Sequence, residues 1–278
     1  MLRPSLLAHL RVAFRHHWPH YLTEGISLAL FLSGASLMLT ALEYPGSPLH
    51  QALLPHDGLR RALLGLTMLL VVAGLVYNPW GRRSGAHINP AVTLGFWQLG
   101  QIKTADALWY VLAQFVGAIL GGQLMLLVLG RYYAHPDVNY AVTQPIKEAH
   151  GQWIAFGAEF GITFVMMAVL LLALRTKCLE KLAGWLLGGL LAVYIWLETP
   201  LSGMSLNPAR TLGSAVAAGS YMGLWLYFAA PLLAAWLAAL GFHALFRDSP
   251  LSGFSLAGPT PQPADPGEEK QLPQHPQE

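Results

Sequence analysis

Charge is what this 278-residue chain has little of. Lys, Arg, Asp and Glu make up 11% of it, less than half the share usual in a soluble domain, while apolar residues reach 54%. Most of the chain must therefore face lipid. The formal net charge of +2 is too small to attract a polyanion, so no nucleic-acid partner is expected. The single cysteine, Cys178, cannot close an intrachain disulfide. No nucleophile with a base, phosphate loop or Cys/His metal set forms a coherent site, so catalytic, metal and cofactor sites are all expected to be absent. His16-His17-x-x-His20 comes nearest to a metal pattern, but it has no Cys or carboxylate close by and reads as part of an interfacial helix. A cleavable leader is not expected either, because residues 1–20 mix Arg, His and Pro among leucines without a small-residue cleavage site.

What the chain does have is long apolar runs. Six are candidate spans: roughly Tyr21 to Leu42, Arg61 to Tyr77, Ala107 to Gly130, Trp153 to Leu174, Leu182 to Pro200 and Tyr221 to Phe246. About 20 helical residues cross a hydrocarbon core of roughly 30 Å, so each is adequate. Asn89 to Leu99 and Asn207 to Ala217 are apolar but about half that length, enough to reach the middle of a bilayer and no further. A cytoplasmic N-terminus puts Arg3, Arg11, Arg15, Arg82, Arg83, Lys103, Arg175, Lys177, Lys181 and Arg247 inside and only Arg60, Arg61, Arg131, Lys147 and Arg210 outside. That distribution follows the positive-inside rule. Both termini are then cytoplasmic, in a plasma or inner membrane.

The two short runs open on one repeated phrase. Ser84-Gly85-Ala86-His87-Ile88-Asn89-Pro90-Ala91-Val92-Thr93-Leu94-Gly95 and Ser202-Gly203-Met204-Ser205-Leu206-Asn207-Pro208-Ala209-Arg210-Thr211-Leu212-Gly213 share Ser-Gly, Asn-Pro-Ala and Thr-Leu-Gly at identical offsets. Each copy predicts an irregular approach, Asn at a helix N-cap, Pro at the first helical position and a short apolar helix. Glu24 and Glu159 lie upstream of one copy each, in the first and fourth spans. The chain therefore reads as three spans plus half a helix, repeated. An odd number of crossings per unit inverts the second. The expected fold is an all-α membrane protein with six transmembrane helices and two re-entrant half-helices in an inverted repeat. Its channel domain covers 21–247, with repeats at about 21–130 and 152–246, between a cytoplasmic segment 1–20 and a disordered Pro-rich tail 248–278.

Asn in both copies carries chemical information. Its amide oxygen can cap the helix while its NH₂ stays free to donate. Asn89 and Asn207 facing one point from opposite sides would orient the oxygen of a passing hydroxyl or water. Two positive helix ends at that point penalise a cation or a proton. Unwound carbonyls, such as those of Gly85, Ala86, Gly203 and Met204, supply acceptors where irregular backbone lines a wet cavity.

These motifs resemble the major intrinsic protein family, the aquaporins and aquaglyceroporins. The likeness covers roughly Tyr21 to Phe246 and includes both Asn-Pro-Ala motifs, Glu24, Glu159, Ala113-Gln114-Phe115-Val116-Gly117-Ala118 and Arg210. It implies a passive pore for water, with small neutral solutes as further permeants and lipid as the surround. It also implies a homotetramer. Arg210 would be the charged member of a selectivity filter completed by Met204, Ile195 and, from the second span, Leu64. Many water-selective members have His where Ile195 stands, which favours a wider permeant such as glycerol. Thr211 after the filter arginine, Ala215 and Tyr227-Phe228 match the water group instead.

Several residues admit plainer roles. Glu24 and Glu159 are read as acceptors for backbone N–H groups of the re-entrant loops, ahead of a proton relay. His87 is either a vestibule residue or simple packing. Glu198 is read as an exposed rim carboxylate, ahead of an ion pair with Arg210. Asn78-Pro79 is a cap or turn within what looks like an insertion, Tyr77 to Arg83. Gly117, Gly121, Gly122, Gly184, Gly188 and Gly189 are read as helix-packing contacts. A secondary transporter would need a coupling-ion site, and an ion channel would have to overcome the central positive potential.

Overall fold

The computed structural model describes residues 5–246. The Pro-rich tail 248–278, Arg3 and Arg247 lie outside the described residues. In chain order the helices are α1 (Leu6–Glu43), α2 (Pro48–Ala52), α3 (Asp57–Tyr77), α4 (Pro79–Ser84), α5 (Pro90–Gln98), α6 (Thr104–Leu129), α7 (Gly151–Arg175), α8 (Lys177–Glu180), α9 (Ala183–Ser202), α10 (Pro208–Ala218) and α11 (Leu224–Leu245). Six of them, α1, α3, α6, α7, α9 and α11, are long and apolar enough to cross a membrane. The half-length helices are α5 and α10, each opened by Asn at the cap and Pro in the first turn.

The first span differs from the sequence expectation. Among the described residues no break separates 6–20 from the first apolar run: α1 extends from Leu6 through Pro19 to Glu43. Pro19 removes one intrahelical hydrogen bond, a loss that usually kinks a helix. Contacts to α6 carry the helix through it. Trp109 Nε1 donates to the Leu10 carbonyl, and Tyr21 Oη and His17 Nδ1 both meet Asp106 Oδ1, at 2.6 and 2.7 Å. Hydropathy registers the polar composition of 1–20 but not these partners, 85 to 99 residues away in sequence. The supposed insertion is α4, whose cap Asn78 accepts from the N–H groups of Trp80 and Gly81.

The two repeats interlock. Within each, the first span packs on the third: α1 on α6, and α7 on α11. The half-helix of each repeat lies against the third span of the other, α10 on α6 and α5 on α11, while α3 and α9 pair across the centre. Small residues make these crossings close. A side chain on Gly117 would meet the Gly25 carbonyl of α1, and one on Gly122 would meet the Gly213 carbonyl of α10. Gly121, Gly184 and Gly188 are also in contact with neighbouring helices, whereas Gly189 has open space beside it and is not a packing contact. Gly117→Val is therefore expected to cost about 1–3 kcal/mol through forced separation of α1 and α6. A thermal midpoint in detergent equal to that of wild type would refute this.

The segment after α6 is partly packed into the protein, although Arg131, Asp137, Lys147 and Glu148 are exposed. Tyr133, Val138, Ala141 and Thr143 are buried, and the Ile146 N–H donates to the Leu201 carbonyl. It folds back onto the second re-entrant loop and braces α10 through Thr143, 3.0 Å from the Thr211 hydroxyl.

Candidate functional site

Both re-entrant loops are irregular in the same way. Gly85, Ala86 and Ile88 have φ of 88°, 47° and 50°, and Gly203, Met204 and Leu206 have φ of 77°, 53° and 59°. Left-handed backbone at a non-glycine residue is strained and persists only where the surroundings over-determine it. Here a buried carboxylate does so. Glu24 Oε1 accepts from Ser84 Oγ and the His87 N–H, and its Oε2 accepts from the Ile88 N–H at 2.6 Å and from Gln114 Nε2 at 2.9 Å. Glu159 repeats the pattern, accepting from Ser202 Oγ, the Ser205 N–H and the Leu206 N–H, each at 2.6–2.7 Å.

The serines were missed in the sequence, although Ser84 and Ser202 stand at matching places in the doubled phrase. Each hydroxyl donates to its carboxylate and accepts from the N–H two residues on, of Ala86 or Met204, at 3.1 Å. Their carbonyls are held in turn by Tyr110 and Tyr227, the first from α6 and the second from α11. The phrase's other shared polar residue behaves alike: Thr93 meets His87 and Gln114, and Thr211 meets Ser205 and Thr143. Nothing within the local sequence pattern marks Tyr110, and the sequence singles out Tyr227 only as a match to the water group; the packing of whole spans brings both to the loops.

The two loops meet through the asparagines. Asn89 Oδ1 caps its own helix by accepting from the Ala91 N–H, and Asn207 Oδ1 accepts from those of Ala209 and Arg210. The NH₂ groups cross over. Asn89 Nδ2 donates to the Leu206 carbonyl at 2.9 Å, and Asn207 Nδ2 to the Ile88 carbonyl at 2.7 Å. Reading the sequence left both NH₂ groups wholly free; each in fact spends one hydrogen on the opposite loop and keeps one. The left-handed residues Ile88 and Leu206 thus turn their N–H to a carboxylate and their carbonyl to the other repeat. Ile88, Asn89, Leu206 and Asn207 line one cavity of about 80 Å³, walled by apolar residues that include Val72 and Leu191.

His87 borders the same cavity, 4% exposed, stacked on Phe96 at 4.8 Å with Nδ1 3.1 Å from Thr93 Oγ1. Ile195 and Met204 are buried in one apolar cluster, and Leu64 packs against it. Gly65 and Ala192 set that juxtaposition, because α3 and α9 touch there with only 2.7 Å between a Gly65 Cβ position and the Ala192 carbonyl oxygen. Arg210 is half-buried in the first turn of α10. It makes no ion pair with Glu198: the pairs among the described residues do not join them. Glu198 is not a rim carboxylate either, at 5% exposure. The groups that act on it are Glu159 of α7, Ser202 and Met204, which the position of Glu198 near a span end could not reveal.

Six spans with two Asn-capped half-helices whose loops meet through crossed asparagines define a membrane protein of the re-entrant-loop class. The chain belongs to the major intrinsic protein family, whose family model matches residues 14–242. It is 31% identical over 196 residues to Aquaporin NIP1-1 of Arabidopsis thaliana, a match covering 70% of this chain and 64% of that protein. It is 35% identical over 186 residues to Nodulin-26 of Glycine max, covering 66% and 65%. The chain thus spans less than two thirds of the length of these relatives. Among solved structures it resembles the aquaglyceroporin from Plasmodium falciparum, with a TM-score of 0.65, 17% identity, and coverage of 83% of this chain and 96% of that one. That likeness speaks to the fold. The protein is an integral, multi-pass membrane protein of a channel family.

Proposed function

We propose that the protein is a passive, proton-tight pore for water that also admits small neutral solutes. The crossed Asn89 and Asn207 pair carries this reading. Each asparagine keeps one N–H for a passing oxygen, and the crossing fixes both donors in place before any solute arrives. A water held by two such donors points its own hydrogens away, which breaks a hydrogen-bonded file along which a proton could move. The N-termini of α5 and α10 add roughly half a positive charge each at the same point. Arg210 is the charged member of a constriction with Met204, Ile195 and Leu64. Glu24 and Glu159 hold the loops, and His87 belongs to the path on the first loop's side.

The pore domain is 21–247, with repeats at about 21–130 and 152–246. Residues 1–20 and 248–278 are cytoplasmic, so both termini lie on that side of a plasma or inner membrane. The assembly is a homotetramer with one pore per subunit.

A second reading, a facilitator of glycerol or another uncharged solute, is favoured by the apolar set Leu64, Ile195 and Met204. Two of the residues that argue for water lose weight beside it. Thr211 is tied to Ser205 and Thr143, and Tyr227 to the Ser202 carbonyl, so both serve the scaffold of the second loop. Vesicles containing the full chain should shrink faster than empty ones in an osmotic jump while holding a proton gradient. No acceleration with protein inserted would refute the pore. Glycerol flux exceeding water flux in the same vesicles would select the second reading.

A further inference from the structure

Four donors reach Glu24, but three reach Glu159. The one without a counterpart is the Gln114 amide, the second donor to Glu24 Oε2. Tyr110 and Tyr227 align the third spans of the two repeats, and on that alignment Pro231 stands where Gln114 would be. Proline offers no amide donor.

Glu198 lies in the same place from another helix. It precedes Ser202 by one turn on the same face of α9, and the Ser202 hydroxyl donates to Glu159 Oε1 at 2.6 Å. Glu198 is 5% exposed, and Glu159 and Ser202 are wholly buried. Neither Glu198 carboxyl oxygen has a hydrogen-bond partner. The polar groups around it are Ser202 and the Met204 N–H, and both are committed: the hydroxyl to Glu159, the N–H to that hydroxyl. The ionisable groups that face it are Glu159 from α7 and Tyr227 from α11. Arg210 of α10 acts on those two. Glu159 and Glu198 are thus two buried carboxyl groups in one polar cluster, and among the described residues no ion pair reaches either. Arg210 acts on Glu159 from α10 but pairs with neither, which disfavours charge on both.

We propose that Glu198 is a positioning residue that keeps a proton and donates it to Glu159 Oε2, taking in the second repeat the part that the Gln114 amide plays in the first. The O–H to carboxylate bond is of the strong, charge-assisted kind. It completes the set of donors that fixes Gly203 to Asn207, the stretch that presents Met204 and leads into Arg210. Unlike an amide, this donor can be lost to base, so the second loop is pH-sensitive where the first is not. Its effect on flux rests on the pore reading above; its protonation does not.

The test uses the full chain in lipid vesicles. Infrared difference spectra of wild type against E198Q at neutral pH should show the C=O stretch of a protonated carboxyl in wild type alone. E198Q keeps a donor, so its water permeability should stay within about twofold of wild type and lose any decline at alkaline pH. E198L removes the donor and should lower the thermal midpoint by about 3–10 °C. A missing protonated-carboxyl signal overturns the proposal, as does E198Q matching E198L in stability. Vesicles with no water flux would refute the pore reading and leave the infrared result to decide this one.

Discussion

Glu24→Leu should yield no stable channel. The substitution strands the Ser84 hydroxyl, the N–H groups of His87 and Ile88 and one hydrogen of the Gln114 amide, all buried. Each unsatisfied buried donor costs about 1–3 kcal/mol, so four come to about 4–12 kcal/mol. That is comparable to the whole stability of an ordinary domain, about 5–15 kcal/mol. The first loop also loses the group that anchors Ala86 and Ile88 in left-handed backbone, leaving the Ser84 Oγ bond to the Ala86 N–H and the Asn207 bond to the Ile88 carbonyl to oppose their relaxation. Glu24→Gln should be milder but still destabilising, because one oxygen becomes an NH₂ facing donors. Size-exclusion profile and thermal midpoint in detergent would measure both. A Glu24→Leu protein that melts with wild type would overturn the scaffold role drawn from the hydrogen bonds.

Arg210→Val should alter selectivity while leaving the fold intact. The α10 cap is made by the Arg210 backbone N–H rather than its side chain, and so survives the change. What goes is a fixed positive charge and a bulky donor from the constriction proposed above with Leu64, Ile195 and Met204. At an effective dielectric near 20, a unit charge about 4 Å away is worth about 4 kcal/mol to a passing cation. Water in the mouth screens much of that, so a rise of about tenfold in cation leak is expected. The glycerol-to-water flux ratio should rise as well, because the opening widens. The central barrier from the two helix N-termini persists, so proton tightness should fall less than cation tightness. Stopped-flow and gradient-decay measurements on the same vesicles give all three quantities, and an unchanged solute profile would remove Arg210 from the constriction.

Most of the fold was legible because lipid imposes simple rules: run length set the spans and two short runs set the half-helices. The first helix was cut at residue 20 because Arg, His and Pro break the hydropathy there, while the contacts of Leu10, His17 and Tyr21 that sustain it come from α6. The site was legible where chemistry is written into local repetition. Asn, Pro, Glu and the filter arginine could be singled out because they recur or are costly at depth. Ser84, Ser202, Thr93 and Tyr110 could not, and Thr211 and Tyr227 were read for selectivity rather than for holding the loop, since a hydroxyl in a membrane helix has many bland uses and only tertiary packing shows which one holds. Glu198 was misjudged for a related reason: closeness to a span end suggests exposure, yet it is 5% exposed, beside Glu159 of another span.

The crossed asparagines also order events during synthesis. Asn89 donates to the carbonyl of Leu206, a residue made long after it. At roughly 5–20 residues per second, the ribosome takes about 6–24 s to reach the second asparagine from the first. Gln114 is made early in that interval, so every donor to Glu24 exists well before Leu206, the acceptor for Asn89. The nascent first repeat can therefore shape its own re-entrant turn through Glu24, but the crossed asparagine pair forms only when the second re-entrant loop arrives.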